Sequence, residues 1–229
     1  NSKREVSNIN PYLTNHYIKI IEPTKSPISV KINMEYGIYY SKSKGLLLTK
    51  AEKDNLIKKG FSSKYIRPFI GASELIDGKL RYCLWLDDKD VKDARGFKDV
   101  AIRLDSVYEE RIKTKDKAVN KLAKKPHQFR EKKGDNQNKI FIPIHSSENR
   151  SYLPIGFLNS ESVVPNSAFA IYNAPIWAFS ILSSKLHIKW IATVCGKLET
   201  RLRYSNTLGW NTFPCPNLTT KNKEDLISC

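Results

Sequence analysis

The chain has 229 residues, 40% of them hydrophobic, enough for one large domain with a buried core and unlike a disordered tail. Its 39 Lys and Arg against 23 Asp and Glu leave a formal charge of +16, which favours a polyanionic partner, with nucleic acid ahead of an anionic membrane. No stretch reaches the ~18 to 20 consecutive apolar residues of a membrane helix, and the first ten residues carry no apolar signal core.

The abundance of Lys, Asn and Ile also fits a plain basic protein from an AT-rich genome, so composition alone leaves both readings open. Cys83, Cys195, Cys215 and Cys229 form no C-x-x-C pair and have no His at ligand spacing, which argues against zinc and for reduced thiols in a cytoplasm. A first residue other than Met and a helix-like final segment lead us to expect a piece of a longer polypeptide.

In chain order, residues 1–25 read as a polar connector with turns at "NPYL" and "EPTKSP". Residues 26–50 mix β-branched and aromatic runs with Gly, which predicts two strands, or a strand and an ordered loop. A short helix follows, with Thr49 as N-cap, Glu52 three residues on and Gly60 just past its end. Asp77-Gly78 between Glu74-Leu75-Ile76 and the run 80–86 is a hairpin signal. Tyr108, Ile112, Val119 and Leu122 predict one helix opened by Asp105 and stopped by Pro126, whose other faces carry Arg111 and many lysines. Those faces suit solvent or phosphates equally.

Two strands, 139–145 and 151–158, are expected around a polar turn, and "SAFAIYN" reads as another strand. Asn173-Ala174-Pro175 can open a helix. In the next helix, Leu186, Trp190 and Val194, and also His187, Ile191 and Cys195, lie four apart; Gly196 closes it. This irregular mixture predicts an α+β fold, a mostly antiparallel sheet with hairpins packed by several helices.

Several chemistries lack support. Neither G-x-G-x-x-G nor G-x-x-x-x-G-K-[ST] occurs. Asn10-Pro11-Tyr12-Leu13 misses the second proline of an amino-methyltransferase motif. Asp87, Asp88, Asp90 and Asp93 lack the glycine bend and closing carboxylate of a calcium loop, so caps and turns account for them better. His16, His127, His145 and His187 have no Ser or Cys at a recognisable spacing. No catalytic residue, cofactor site or metal site is expected within these 229 residues.

The run 197–204 is different. As a strand it places Leu198, Thr200, Leu202 and Tyr204 on one face and Lys197, Glu199, Arg201 and Arg203 on the other. Two arginines ~7 Å apart beside a carboxylate suit base edges in a major groove: Arg donates to guanine, and Glu accepts from cytosine. An ordinary exposed strand of weakly interacting charges has the same pattern.

The blocks "INPYL", "KYIRPFIGASELIDGKLRYCLWL", "KPHQF", "IPIHSSENRSYLPIGF" and "FSILSSKLHIKWIATVCGKLETRLRYSNTLGWNTFPCP" resemble, in order, the target recognition domain of MmeI-like restriction-modification enzymes. The resemblance covers most of residues 26–216 and implies sequence-specific recognition of double-stranded DNA, with 1–25 as the run-out of a methyltransferase domain and 217–229 as the start of a C-terminal helical segment. It implies base reading by Asn166, Ser167, Glu199, Arg201 and Arg203. The "SSENR" turn with Ser146, Ser147 and Arg150, and the helix start with Lys185, His187 and Lys189, are expected to meet the DNA backbone. Near 37–46 the family often has a Pro-x-Asp-Gly-Gly type turn, whereas this chain has "GIYYSKSKGL", in which Lys42 and Lys44 could take over phosphate contacts.

The parent enzyme is expected to join methyltransferase, helical and nuclease parts and to use S-adenosylmethionine and Mg2+, methylating a flipped adenine. The alternatives are a self-contained DNA-modifying or DNA-cleaving enzyme, and a general RNA- or single-strand-binding module that stacks bases on exposed aromatics.

Overall fold

The computed structural model describes Glu5, residues 20–134 and residues 136–229; the expectations for Asn10-Pro11-Tyr12-Leu13 and His16 lie outside the described residues. The first half runs through β1 (Glu35–Tyr36), β2 (Leu47–Thr49), α1 (Lys50–Lys58), β3 (Ile66–Pro68), α2 (Ala72–Ile76), β4 (Arg81–Leu84), α3 (Val91–Arg95), α4 (Lys98–Ile112) and α5 (Lys117–Lys121). The second half runs through β5 (Lys139–Pro143), β6 (His145–Ser146), β7 (Gly156–Leu158), β8 (Ala168–Tyr172), α6 (Ile176–Ser183), α7 (Lys185–Val194), β9 (Lys197–Leu198), β10 (Arg201–Arg203) and α8 (Thr220–Ser228).

Three small sheets with antiparallel ladders result, in the orders β1-β8-β5-β7, β6-β10-β9 and β2-β4-β3, with helices packed on them, as the α+β expectation requires. β5 is central, paired with β7 on one side and β8 on the other, and every residue of it is buried. Its period of two sends Ile140 and Ile142 into the larger core with Phe169 and Ile171, and Phe141 into a smaller one with Val164, Ala168 and Ala170. A separate core under the first half gathers Leu46, Leu48, Phe69, Leu84 and Leu104.

Local chemistry explains where elements begin. Thr49 Oγ1 accepts from Glu52 N–H while Glu52 accepts from Thr49 N–H, the capping box predicted for α1, and Gly60 past its end takes φ +89. The expected 74–86 hairpin is a different structure. Residues 72–76 are helical because Glu74 accepts from Gly71 N–H at 2.8 Å and from the Arg81 guanidinium at 3.1 Å, and β4 pairs with β2 and β3 instead.

The helix expected from Asp105 starts at Lys98 and ends at Ile112; Asp116 then caps the short α5. Asn173 does not cap α6: it sits at φ +51, and Pro175 occupies the boundary. Three of the four clustered aspartates tie loops together. Asp88 accepts from Lys125, His127 and Gln128, Asp87 pairs with Lys132, and Asp90 accepts from Tyr65.

Arg111 was expected on a solvated or phosphate-facing side of its helix, and it is wholly buried. Its five N–H donors meet Lys42 O, Leu122 O, Lys125 O, Gln128 O and Ser43 Oγ at 2.7–3.1 Å. Burial pulls its pKa down to about 10, so the group keeps its charge at neutral pH. One guanidinium thus joins the 42–43 loop to the 122–128 segment. Lysine has fewer donors and no planar fork. Arg111→Lys is therefore expected to lower unfolding free energy by about 3 kcal/mol, because buried carbonyls lose partners; urea unfolding checks this, and a loss under about 1 kcal/mol contradicts it.

Candidate nucleic-acid interface

The C-terminal sheet begins where α7 stops. Ser184 Oγ caps α7 by accepting from His187 N–H at 3.1 Å, and Gly196 O later accepts from Arg203 N–H at 3.0 Å, which folds the chain back after the helix. β10 pairs with β9 through Arg201–Leu198 and Leu202–Lys197, and with β6 through Leu202–Ser146 and Arg203–His145. Directly opposed residues in an antiparallel pair share a face. One face therefore carries Leu198, Arg201, Arg203 and His145, all exposed; Leu202 and Ser146 lie on the other face and are buried.

This register corrects the single-strand reading of 197–204. Glu199 and Thr200 form the two-residue turn between β9 and β10, and Glu199 takes φ +56, the left-handed region that tight hairpin turns demand. Leu198 is thereby turned out, 50% exposed, onto the arginine face, while Lys197 opposes Leu202. Arg201 and Arg203 keep the predicted outward orientation, and among the described residues neither guanidinium is held in an ion pair. His145 and Leu198 were not expected at this place. Only the pairing register reveals them: Leu198 lies opposite Arg201 across the tight turn, and His145 lies opposite Arg203, far away in sequence.

Asn166 and Ser167 form the turn entering β8, with Ser167 exposed and Asn166 half-buried. Ala168, the next residue, lies opposite Pro143, and two residues beyond Pro143 is His145, opposite Arg203. The fold thus brings the 166–167 turn to the end of β5 that leads into β6, the strand paired with β10. The turn is clamped: Asn166 N–H donates to Ile38 O at 2.8 Å and Ile38 N–H to Val164 O at 2.8 Å. Gly37 permits this approach, since a Cβ there would lie 2.3 Å from Pro165 O. Lys42 and Lys44 are exposed on the loop that follows, around the buried Ser43.

A groove of about 500 Å³ opens beside β10, with Ile188 and Leu202 at its base and Glu148, Arg150, Lys185, Lys189 and Lys197 around it. Three of the expected backbone-contacting residues, Arg150, Lys185 and Lys189, therefore converge. Glu148 is the acidic member. Its carboxylate is held below the usual range by its own backbone N–H, then by the Thr200 hydroxyl at 2.9 Å, with Arg201 and Lys197 adding to the effect.

Two of the expected contacts fail on burial. Ser146 faces the core, with Ser147 beside it half-buried. His187 is fully buried and its Nε2 lies 3.0 Å from the Tyr204 hydroxyl, among the rings of Trp210 and Phe213. Residues two apart on a helix point about 200° apart, so Lys185 and Lys189 face outward because His187 faces inward. Trp190, expected in the core, is half-buried, and Leu186 is exposed. Among the described residues, no three His, Cys, Asp or Glu side chains come together as a metal site, and no helix is long and apolar enough to cross a membrane.

A family model described as "MmeI, target recognition domain" matches residues 16–217. The chain belongs to this family. The chain is 36% identical to DNA methyltransferase A of Bacillus subtilis (strain 168) over 226 residues, 98% of this chain and 26% of that protein. It superimposes with a TM-score of 0.87 and 35% identity on the type IIL restriction-modification enzyme MmeI, solved in complex with DNA, covering 96% of this chain and 29% of that one. The type IIG restriction endonuclease BpuSI shares the fold at a TM-score of 0.53 and 15% identity, over 86% of this chain and 25% of that one. The chain thus spans little more than a quarter of the length of these relatives.

Burial drives the His187 pKa down from 6.5 to about 3. His127 is also pushed down, by burial acting against its contact with Asp88. A depressed folded-state pKa gives stability that is complete above the unfolded value and lost as pH falls toward the folded one. Unfolding free energy should therefore drop between about pH 7 and about pH 5, and drop less in His187→Gln. Denaturant titrations at both pH values check this; equal slopes in the two proteins would show that His187 is not the buried neutral group.

Proposed function

We propose that this domain reads a specific sequence in double-stranded DNA on behalf of a longer restriction-modification enzyme. The observation that carries the reading is the outward pair Arg201 and Arg203, in no ion pair among the described residues and placed beside a lysine-lined groove. Guanine offers O6 and N7 to such a guanidinium in the major groove, and a two-stranded ribbon fits that groove. Glu199 at the turn can accept from a cytosine amino group, and Asn166, Ser167 and His145 are assigned to neighbouring base edges, the 166–167 turn lying at the end of β5 that leads into His145. Arg150, Lys185, Lys189 and Lys197 supply phosphate contacts that fix register without reading sequence, and Lys42 and Lys44 add charge at the second loop.

The remaining steps belong to other parts of the parent chain. We infer that residues 26–216 form the recognition domain, that 1–25 connect it to a methyltransferase, and that 217–229 lead into a helical segment. That methyltransferase would take S-adenosylmethionine and methylate an adenine which the bound domain has placed for flipping, and a nuclease part would use Mg2+. The family and the DNA complex of MmeI support this reading. The reduced thiols and the basic surface fit a bacterial cytoplasm.

Arg203→Ala is expected to relax base preference at one position of the bound site, at a cost of about 1 to 3 kcal/mol for the preferred sequence. Selection from randomised duplexes followed by titration of single sequences measures this; a uniform loss on every sequence would make Arg203 a phosphate contact. Replacing Lys185 and Lys189 together by Ala should leave base preference unchanged and lower the slope of log affinity against log salt by about 2. An unchanged slope would remove α7 from the interface.

A further inference from the structure

We propose that Glu148 is a positioning residue, holding the Glu199–Thr200 turn through the Thr200 hydroxyl so that Glu199 and Arg201 meet the base edges in one orientation. The proposal rests on the DNA-reading role and adds to it a residue that touches no base. Thr200 lies between the two side chains concerned, and its Oγ1 donates to Glu148 Oε1 at 2.9 Å across 52 residues of sequence. Glu148 itself stands on the turn after β6, the strand that pairs with β10. The β9–β10 hairpin is therefore tied at both ends: by the β6 ladder at Leu202 and Arg203, and by Glu148 at its tip.

The tip needs such a tie. β9 has two residues and β10 three, so the backbone ladder that holds the turn is short, and a two-stranded ribbon of that length is not stable alone. Glu199 is also a non-glycine residue at φ +56, a conformation that L side chains leave unless surrounding contacts hold it. A carboxylate in a groove otherwise lined by Arg150, Lys185, Lys189 and Lys197 opposes phosphate binding, so its electrostatic effect there is unfavourable for DNA. Its contribution to recognition is geometric.

The experiment selects bound sequences from a pool of randomised duplex DNA with the 229-residue chain and its variants, and follows amide exchange at residues 199–201. Thr200→Val and Glu148→Ala should each weaken discrimination at the position read by Arg201 by roughly 2- to 10-fold, the worth of one hydrogen bond, and speed exchange at the turn. Thr200→Ser and Glu148→Gln, which keep donor and acceptor, should retain discrimination, and Glu148→Gln should bind all duplexes more tightly. If Arg201→Ala relaxes the preference while Thr200→Val and Glu148→Ala do not, the positioning role is overturned and base reading stands. If Thr200→Val weakens every sequence equally, Glu148 serves the fold alone and the proposal fails. If Arg201→Ala leaves the preference intact, or the unaltered chain enriches no sequence, base reading fails and the proposal with it.

Discussion

Leu202 and Tyr204 enter the core from the last strand, and an extended chain with a period of two must then send Arg201 and Arg203 the other way. The arginine face depends on that register. A slip of one residue would bury two guanidiniums and expose two large apolar side chains, which the surrounding core forbids. Tyr204 is fixed further by its hydroxyl on His187 and its backbone N–H on Ile144 O. The aromatic packing behind the sheet and the cationic face before it are two sides of one constraint.

Buried polar groups hold loops elsewhere along the chain as well. Arg111 satisfies its five donors with four carbonyls and one hydroxyl and carries the 42–43 loop. The segment after β10 works in the same way on residues 24–34. Trp210 Nε1 donates to Ile32 O at 2.6 Å, Asn206 to Met34 O at 3.0 Å and Asn211 to Thr24 O at 2.7 Å. The segment that follows β10 thus packs over residues 24–34, so the hairpin is held from both early and late parts of the fold.

Where a feature depends on neighbours in sequence, it is legible in the sequence. The capping box at Thr49 and Glu52, the Ser184-capped α7, strand β8 and the alternation at 201–204 all belong to this class. What escapes depends on pairing between strands or on partners far along the chain. Glu199 leaves the strand because Arg201 pairs back on Leu198, and that hairpin is invisible to an alternation rule applied to a single strand. Arg111 looks like one more cation in a lysine-rich run until the acceptors from residues 42–43 and 122–128 close around it. His187 between two lysines could have been read as inward from helical periodicity alone. Family resemblance is what singles out 166–167 and 199–203, and the sheet register explains how they can act together.

Base reading of the kind proposed requires contact between the outward arginine face and guanine edges in the major groove. It is tested most directly by placing 7-deazaguanine, which lacks the N7 acceptor, at each guanine of the preferred duplex and titrating the unaltered chain and Arg203→Ala side by side. The account predicts one guanine at which the substitution weakens the unaltered chain but costs Arg203→Ala nothing further, because the contact is already gone. Equal weakening of both proteins at every guanine would contradict it.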